Sequence, residues 1–310
     1  MAFTSGEYIE KFILPGLVHT LQNLKQDFLA VIPNAPKKAL NSSGIVVHKV
    51  GQPISVDWDK ADDYVDGDIA TFDVENDLIP WSYFSTTPFK TDKEEIRTSS
   101  LNRGGELARK SSEAITASWI EKNIHNLAPD DDTDAQYNPV IDTTGGNRGD
   151  GTKQLLITDL VKAREPFNKM NLKSPKDLYM ILSPEHLTDL MLDALNYQAF
   201  KDIYIKTESG EPLMNHGWKF FWNTYKNYYS AAGAKLAYGA APGGTDQVAS
   251  TIFYAPHTVK SIANITSHYE PMSQNTRSNP PEDEMRFTGN AAIGKLWKVG
   301  FGAIKSVPVV

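Results

Sequence analysis

The segment GGNRGDGTK, residues 145 to 153, has the glycine spacing of a loop that cradles phosphate: Gly146 and Gly151 are separated by four residues. That chemistry also needs a lysine followed by a hydroxyl. Thr152 and Lys153 stand in the opposite order, which displaces the charge and removes the magnesium ligand. The segment therefore reads as a flexible turn, with its Arg-Gly-Asp triplet incidental. Asp130, Asp132 and Asp134 open like a calcium loop, but Ala135 stands where glycine makes the sharp turn and Ile141 where a glutamate would close the shell. A solvated turn is the plainer reading, with a weak surface calcium site as its alternative. The seven histidines, His19, His48, His125, His186, His216, His257 and His268, form no pair at helical ligand spacing. His186 lies close to Glu185 and Asp189, which is ordinary for a solvent-facing helix position. No Gly-x-Ser-x-Gly elbow, dinucleotide fingerprint or kinase set is present. The absence of cysteine removes disulfides, thiolate catalysis and thiolate metal sites together.

The elements that would position such groups are legible in outline. LYMIL, 178 to 182, reads as a buried strand; Ser183 is a good N-cap, Pro184 suits the first helical turn, and Glu185 suits the positive end of the helix dipole. A strand feeding a helix is a nucleotide-site geometry only when glycines let the backbone approach a pyrophosphate. They are missing, so the motif is structural. A long helix is predicted over 101–127 from Leu107, Ala114, Ile115, Ile120, Ile124 and Leu127, with Gly104-Gly105 marking a late start or a bend and Pro129 following its end. A helix disturbed by Pro166 is expected from Gln154 onward. Strands are expected at 44–50, 53–59, 217–222, 250–255 and 296–305, with a loose polar stretch, SQNTRSNPPEDE, before the last. Near the start, Leu17, Leu21, Leu24 and Phe28 keep the period of one helical face before IPNAP, 32 to 36, stops it. So short a helix cannot bury its stripe alone and must dock on something else.

A chain of 310 residues with 40% apolar content is globular and large enough for two or three folding units. No apolar run is long enough to span a bilayer, and acidic residues stand where a signal peptide would be basic, so a soluble protein with an unprocessed start is expected. A net charge of −7 argues against a surface devoted to gripping phosphate backbones. The acids are concentrated: Asp57, Asp59, Asp62, Asp63, Asp66, Asp68, Asp73, Glu75 and Asp77 share their interval with only Lys60. Such a block reads either as a solvated hairpin tip or as a projecting loop awaiting a basic partner. Trp58, Tyr64, Trp81, Tyr83 and Phe84 flank it, as core residues or as interface anchors.

The order of these pieces resembles the major capsid protein of tailed bacteriophages, the Hong Kong 97-like (Johnson) fold. TTPFKTDKEEIRTSS and the following helix look like the link from an extended loop into a spine helix. LVKAREPFNKMNLKSPKDLYMILSPEHLTDLM is similar to the axial-domain pattern of helix, break, strand and helix. GEPLMNHGWKFFWNT resembles the turn and strand that follow, STIFYAPHTVKSI a later strand and short helix, and NAAIGKLWKVGFGAIKS the closing strands. The resemblance covers about residues 40 to 306. It implies an α+β fold with an N-terminal arm (1–43), an extended loop (44–92), a peripheral domain with the spine helix (93–150 and 264–310) and an axial domain (151–263).

It further implies a structural protein and not an enzyme, with no cofactor or metal. Copies would form the pentamers and hexamers of an icosahedral head shell around double-stranded DNA held without tight binding. The shell would lie in the virion, assemble in the host cytoplasm and involve no membrane. No long scaffolding extension precedes the arm, so a separate scaffold protein, or none, is expected besides a portal. The covalent cross-link of some family members is not carried over, since Lys60 with Asn290 would be a guess. The expected subunit interface pairs Asp57, Trp58, Asp62, Asp63, Tyr64, Asp66, Asp68 and Trp81 with Arg286, Lys295 and Lys298 of a neighbour; Lys305 adds to a terminal segment that carries no acid. An encapsulin-like compartment that holds a cargo enzyme shares these features, and an unrecognised α/β hydrolase is the reading from another class.

Overall fold

The computed structural model describes residues 27–50, 74–91, 103–170, 172–196, 213–215, 217–270 and 283–309. In chain order the elements are β1 (Gly44–Val50), β2 (Val74–Pro80), β3 (Ser82–Ser85), β4 (Phe89–Thr91), α1 (Arg103–Leu127), β5 (Val140–Asp142), α2 (Ile157–Lys169), β6 (Leu178–Leu182) and α3 (Pro184–Asn196). They continue with β7 (Leu213–Asn215), β8 (Trp218–Trp222), β9 (Asn227–Tyr229), β10 (Gln247–Tyr254), β11 (Thr258–Glu270), β12 (Asp283–Lys295) and β13 (Phe301–Lys305). The stretch 53–59, expected as a strand, lies outside the described residues.

The uninterrupted apolar run of β6 follows from burial on both sides, because side chains alternate across a strand and both faces here are covered. Leu178, Met180 and Leu182 face one way, into a core with Leu160 and Phe167 of α2 and Leu190 of α3. Tyr179 and Ile181 face the other way, against Trp119, Ile120 and Ile124 of α1 and against Phe28. β6 is central in a mixed sheet of order β5-β13-β10-β6-β8-β7, with β9 beside β10. It runs parallel to β8 and antiparallel to β10.

Local signals set the helix ends. Ser183 Oγ accepts the His186 N–H at 3.3 Å, as expected of an N-cap. At the start of α2 the Asp159 carboxylate accepts the N–H groups of Leu156 (3.2 Å) and Thr144 (3.0 Å), and Asp193 of α3 accepts that of Ile157 at 2.8 Å. Pro166 is held inside α2 near its end. Gly104 and Gly105 are likewise inside α1. Ala114 is exposed, whereas Ile115, Ile120, Ile124 and Leu127 are buried; Leu107's side chain lies outside the described residues.

A second sheet, β11-β12-β3 with β4 also on β12, was hidden from the sequence. Strand formation was expected over 296–305, but only 301–305 belongs to β13; 296–300 is a bend, and the long β12 ends before it at Lys295. The short helix expected after β10 is a single 3-10 turn, Ala255–His257, and β11 begins at once. Period-two burial marks β12 in retrospect, with Met285 and Phe287 inside and Arg286 outside. Two glycines permit close layers. A Cβ on Gly289 would lie 2.5 Å from the ring of Phe84, and one on Gly302 would lie 2.8 Å from both Phe167 Cζ and the Pro139 carbonyl. Gly302→Ala is expected to lower stability by about 1–3 kcal/mol through overpacking, read as a lower urea midpoint at unchanged slope.

β1 and β2 form a separate antiparallel ribbon, paired from Gly44↔Pro80 to Val50↔Val74. Seven residue pairs extend about 20 Å; residues 51–73, between the two strands, lie outside the described residues. At its base Ile45 packs with Val259 and Ala292.

Candidate assembly interface

The residues of catalytic type converge in the interior. Arg148 reaches Asp189 of α3 with Nε at 3.0 Å and Nη2 at 2.5 Å, and Nη2 also donates to Ser306 Oγ at 3.0 Å. His186 Nδ1 lies 2.6 Å from Ser250 Oγ and its Nε2 2.8 Å from Ser306 Oγ. Asp189 accepts the Leu155 N–H at 2.9 Å. The expectation of a flexible turn at 145–153 is thus corrected: Asn147 bridges to Lys153, the Arg148 N–H bonds the Thr152 carbonyl at 2.9 Å, and the C-terminal tail pairs alongside through Thr152 and Pro308. The solvent-facing reading of His186 is corrected too, since it is 0% exposed. A hydrophobic stripe alone does not reveal this, because the histidine is drawn inward by two hydroxyls from distant segments, Ser250 of β10 and Ser306 after β13.

His186, Asp189, Ser250 and Ser306 are buried, and their bonds tie together α3, β10 and the tail after β13. Burial, with the Arg148 charge adding to it, pushes the His186 pKa down to about 3, against a smaller opposing effect of Glu185. A group whose folded pKa is depressed leaves the unfolded state binding more protons, so its contribution is whole above about pH 6.5 and is lost as the pH falls toward 3. Stability is expected to fall by up to about 1.4 kcal/mol per pH unit in that window from this residue. His186→Gln should remove about one proton from the measured pH dependence of unfolding between pH 6 and pH 4.

The end of α1 is held by lysines. Lys235 Nζ donates to the carbonyls of His125 and Ala128, each at 3.0 Å, and pairs with Asp130 at 2.7 Å. Lys295 Nζ donates to the Ala128 carbonyl at 3.0 Å and lies over the Phe301 ring. Cations suit the negative end of a helix dipole. Burial, with nearby Lys235, pushes Lys295 down to about 8. The acids read as the opening of a calcium loop are engaged singly: Asp130 with Lys235, Asp132 with Lys305 (3.1 Å) and Asp134 with Asn138 (2.7 Å). Among the described residues no three side chains of metal-binding type come together.

Of the expected interface residues, Asp57, Trp58, Asp62, Asp63, Tyr64, Asp66 and Asp68 lie outside the described residues. Trp81 packs at the ribbon base, its Nε1 donating to the Asn41 carbonyl at 3.0 Å. Arg286, on β12, and Lys298 are exposed. Lys295 uses its ammonium inside the subunit, and Lys305 is buried against Asp132 and Asp142. Tyr83 is 66% exposed on β3, while its neighbour Phe84 turns inward beneath Gly289. The sequence did not reveal a groove of about 630 Å³ between α1 and strands β3 and β4. Its signal would have been the run of small residues Ser111, Ala114 and Ser118 along one side of the long helix.

The chain, an α+β fold with a two-stranded ribbon, a long helix and a central mixed sheet, is similar in fold to solved phage capsid subunits. The capsid of cyanophage P-SCSP1u matches with a TM-score of 0.61 at 12% identity, over 92% of this chain and 89% of that one. The acid-stable capsid of the Helicobacter pylori bacteriophage KHP30 matches with a TM-score of 0.58 at 7% identity, over 91% and 90%. A virus-like particle from Pyrococcus furiosus matches at 0.50 and 10% identity, over 96% and 99%. No family model matches the sequence, and no curated protein does.

Proposed function

We propose that this chain is the major capsid protein of a tailed bacteriophage, a structural subunit whose copies form the pentamers and hexamers of an icosahedral shell around double-stranded DNA. The observation that carries the reading is similarity in fold to phage capsids over about nine-tenths of both chains. The buried placement of the His186 and Arg148 groups favours a structural role over a hydrolytic one. In this reading β1, β2 and the residues between them are the extended loop, α1 is the spine helix, β11 and β12 build the peripheral domain, and the β6-centred sheet with α2 and α3 is the axial domain. The virion shell is its place of action, the host cytoplasm its place of assembly, and scaffold and portal proteins its partners.

Association is the activity, so its chemistry is that of surfaces. The acidic segment carried by the ribbon is proposed to lie on a neighbouring copy, where Arg286 and Lys298 are exposed for it and Trp58 and Tyr64 act as anchors. Trp81 contributes by fixing the ribbon's base. Charge pairing of this kind sets register and partner choice more than net affinity, and many modest contacts sum in a closed shell.

Electron microscopy and light scattering of the expressed full chain test the proposal: closed, uniform shells support it, and a monodisperse small protein under every assembly condition overturns it. The match to the Pyrococcus furiosus virus-like particle favours one second reading, a cargo compartment. Purified particles that contain protein cargo and no nucleic acid would establish that reading instead.

A further inference from the structure

The groove between α1 and strands β3 and β4 has a strand edge for one wall. β3 pairs with β12 through Ser82 to Ser85, and β4 pairs with the same strand through Phe89 to Thr91. Among the described residues no strand pairs on their other side. Tyr83 and Phe84, whose side chains point to opposite faces of the sheet, both line the groove, so it runs along that edge and not over one face. In an antiparallel strand alternate residues turn their N–H and C=O groups away from the partner, here toward the groove. An open edge of this kind is where an extended peptide adds as a further strand.

The opposite wall sets the charge of the occupant. On α1, Lys110, Ala114, Ser118, Lys122 and Asn126 recur every four residues along the groove. Ala114 and Ser118 are small and exposed, which leaves room for a second backbone. Lys110 is exposed, Lys122 is half-buried with its ammonium over the Tyr238 ring, and no Asp or Glu lines the groove. Acids beside them on the helix are engaged elsewhere, Glu113 with Arg109 at 2.6 Å and Glu121 with the Tyr238 hydroxyl at 3.4 Å. The two lysines stand about 18 Å apart along the helix, a distance that an extended strand covers in about six residues. An apolar floor of Phe84, Ile115 and Trp119 with only two cations favours a peptide over a nucleic-acid backbone. We infer that this groove docks an acidic extended segment of a separate polypeptide, which pairs with the β3 edge and sets carboxylates against Lys110 and Lys122. The assignment goes beyond the capsid reading and does not depend on it.

Fluorescence anisotropy of a labelled peptide of alternating valine and glutamate, titrated with the full-length subunit, tests the assignment. Saturable binding is expected, and Lys110→Glu combined with Lys122→Glu should weaken it about tenfold. Ala114→Trp, which fills the groove from an exposed position, should weaken it as well. Lys162→Glu, on the exposed side of α2, should bind like the parent. Two further peptides are N-methylated, one on its valines and one on its glutamates. At least one of them should bind about tenfold more weakly, since one set of N–H groups faces the strand edge. Folding of each variant is read from its urea midpoint, and the N-methylated peptides test the site on the unaltered protein. Absence of binding, full affinity of both methylated peptides, or equal loss in Lys162→Glu overturns the inference. Displacement of the peptide by a short DNA duplex overturns it too. Release of one copy from another by the peptide, seen in sedimentation, would assign the groove to a second copy and likewise overturn it. Shell formation without peptide is scored separately, so failure of the docking site and failure of the capsid reading are distinguishable.

Discussion

Replacing Asp62, Asp63, Asp66 and Asp68 together by lysine is expected to abolish shell formation while leaving the subunit folded. Each replacement adds two charges, so four move the net charge from −7 to +1. The four aspartates lie outside the described residues, between β1 and β2, and their reversal is expected to leave the melting transition of the monomer nearly unchanged. On the proposed neighbour the same change would place lysines against Arg286 and Lys298, and like-charge juxtaposition costs several kcal/mol per interface. Repetition around a closed shell multiplies that cost. Sedimentation of the assembly reaction reads the outcome: particles in the parent, free subunits in the variant. Adding Arg286→Glu and Lys298→Glu should restore part of the particle yield. Normal shells from the four-lysine variant would refute the charge pairing, and absence of rescue would move the partner surface elsewhere on the subunit.

The largest effect on the subunit itself is expected at Asp189. Its side chain is 2% exposed, pairs with Arg148 through two nitrogens and accepts the Leu155 N–H. Asp189→Ala would leave a largely buried guanidinium without its counter-charge, and breaking a buried pair from one side costs about 3–5 kcal/mol. That is a large share of the total stability of a domain. The variant should unfold at a much lower urea concentration, and Arg148→Ala should be nearly as damaging. The double variant Arg148→Met with Asp189→Leu is expected to recover much of the loss, since apolar replacement of a whole buried pair is often neutral. If the double variant were as unstable as the sum of the singles, the ion pair would not be the coupling between loop 145–153 and α3.

Strand β6 and the start of α3 were readable because their signals are local. An apolar run, a serine cap and a proline at the first helical turn determine that geometry within about ten residues, and α1 was equally plain from its period. The β11–β12 pair was not, because the register shift between Ile262 and Ile265 interrupts the alternation by which a strand is read. The polar cluster was invisible for a related reason. Arg148, His186, Ser250 and Ser306 come from segments far apart in the chain, and nothing in the types or spacing of those residues marks their convergence.

The final basic segment shows the same limit from the other side. Arg286, Lys295, Lys298 and Lys305 look alike in the sequence as free cations, yet packing gives Lys295 to the carbonyl end of α1 and Lys305 to two aspartates, leaving Arg286 and Lys298 exposed.

Composition, charge and the order of elements by themselves determined that this is a cysteine-free α+β protein with a strongly acidic excursion and no recognisable catalytic motif. Only the tertiary structure decided which polar groups are buried ties, which lysines remain exposed, and where an apolar groove opens beside the long helix. The reason is physical: helical period and capping act between near neighbours, whereas burial and ion pairing depend on which distant segments the sheets bring into contact.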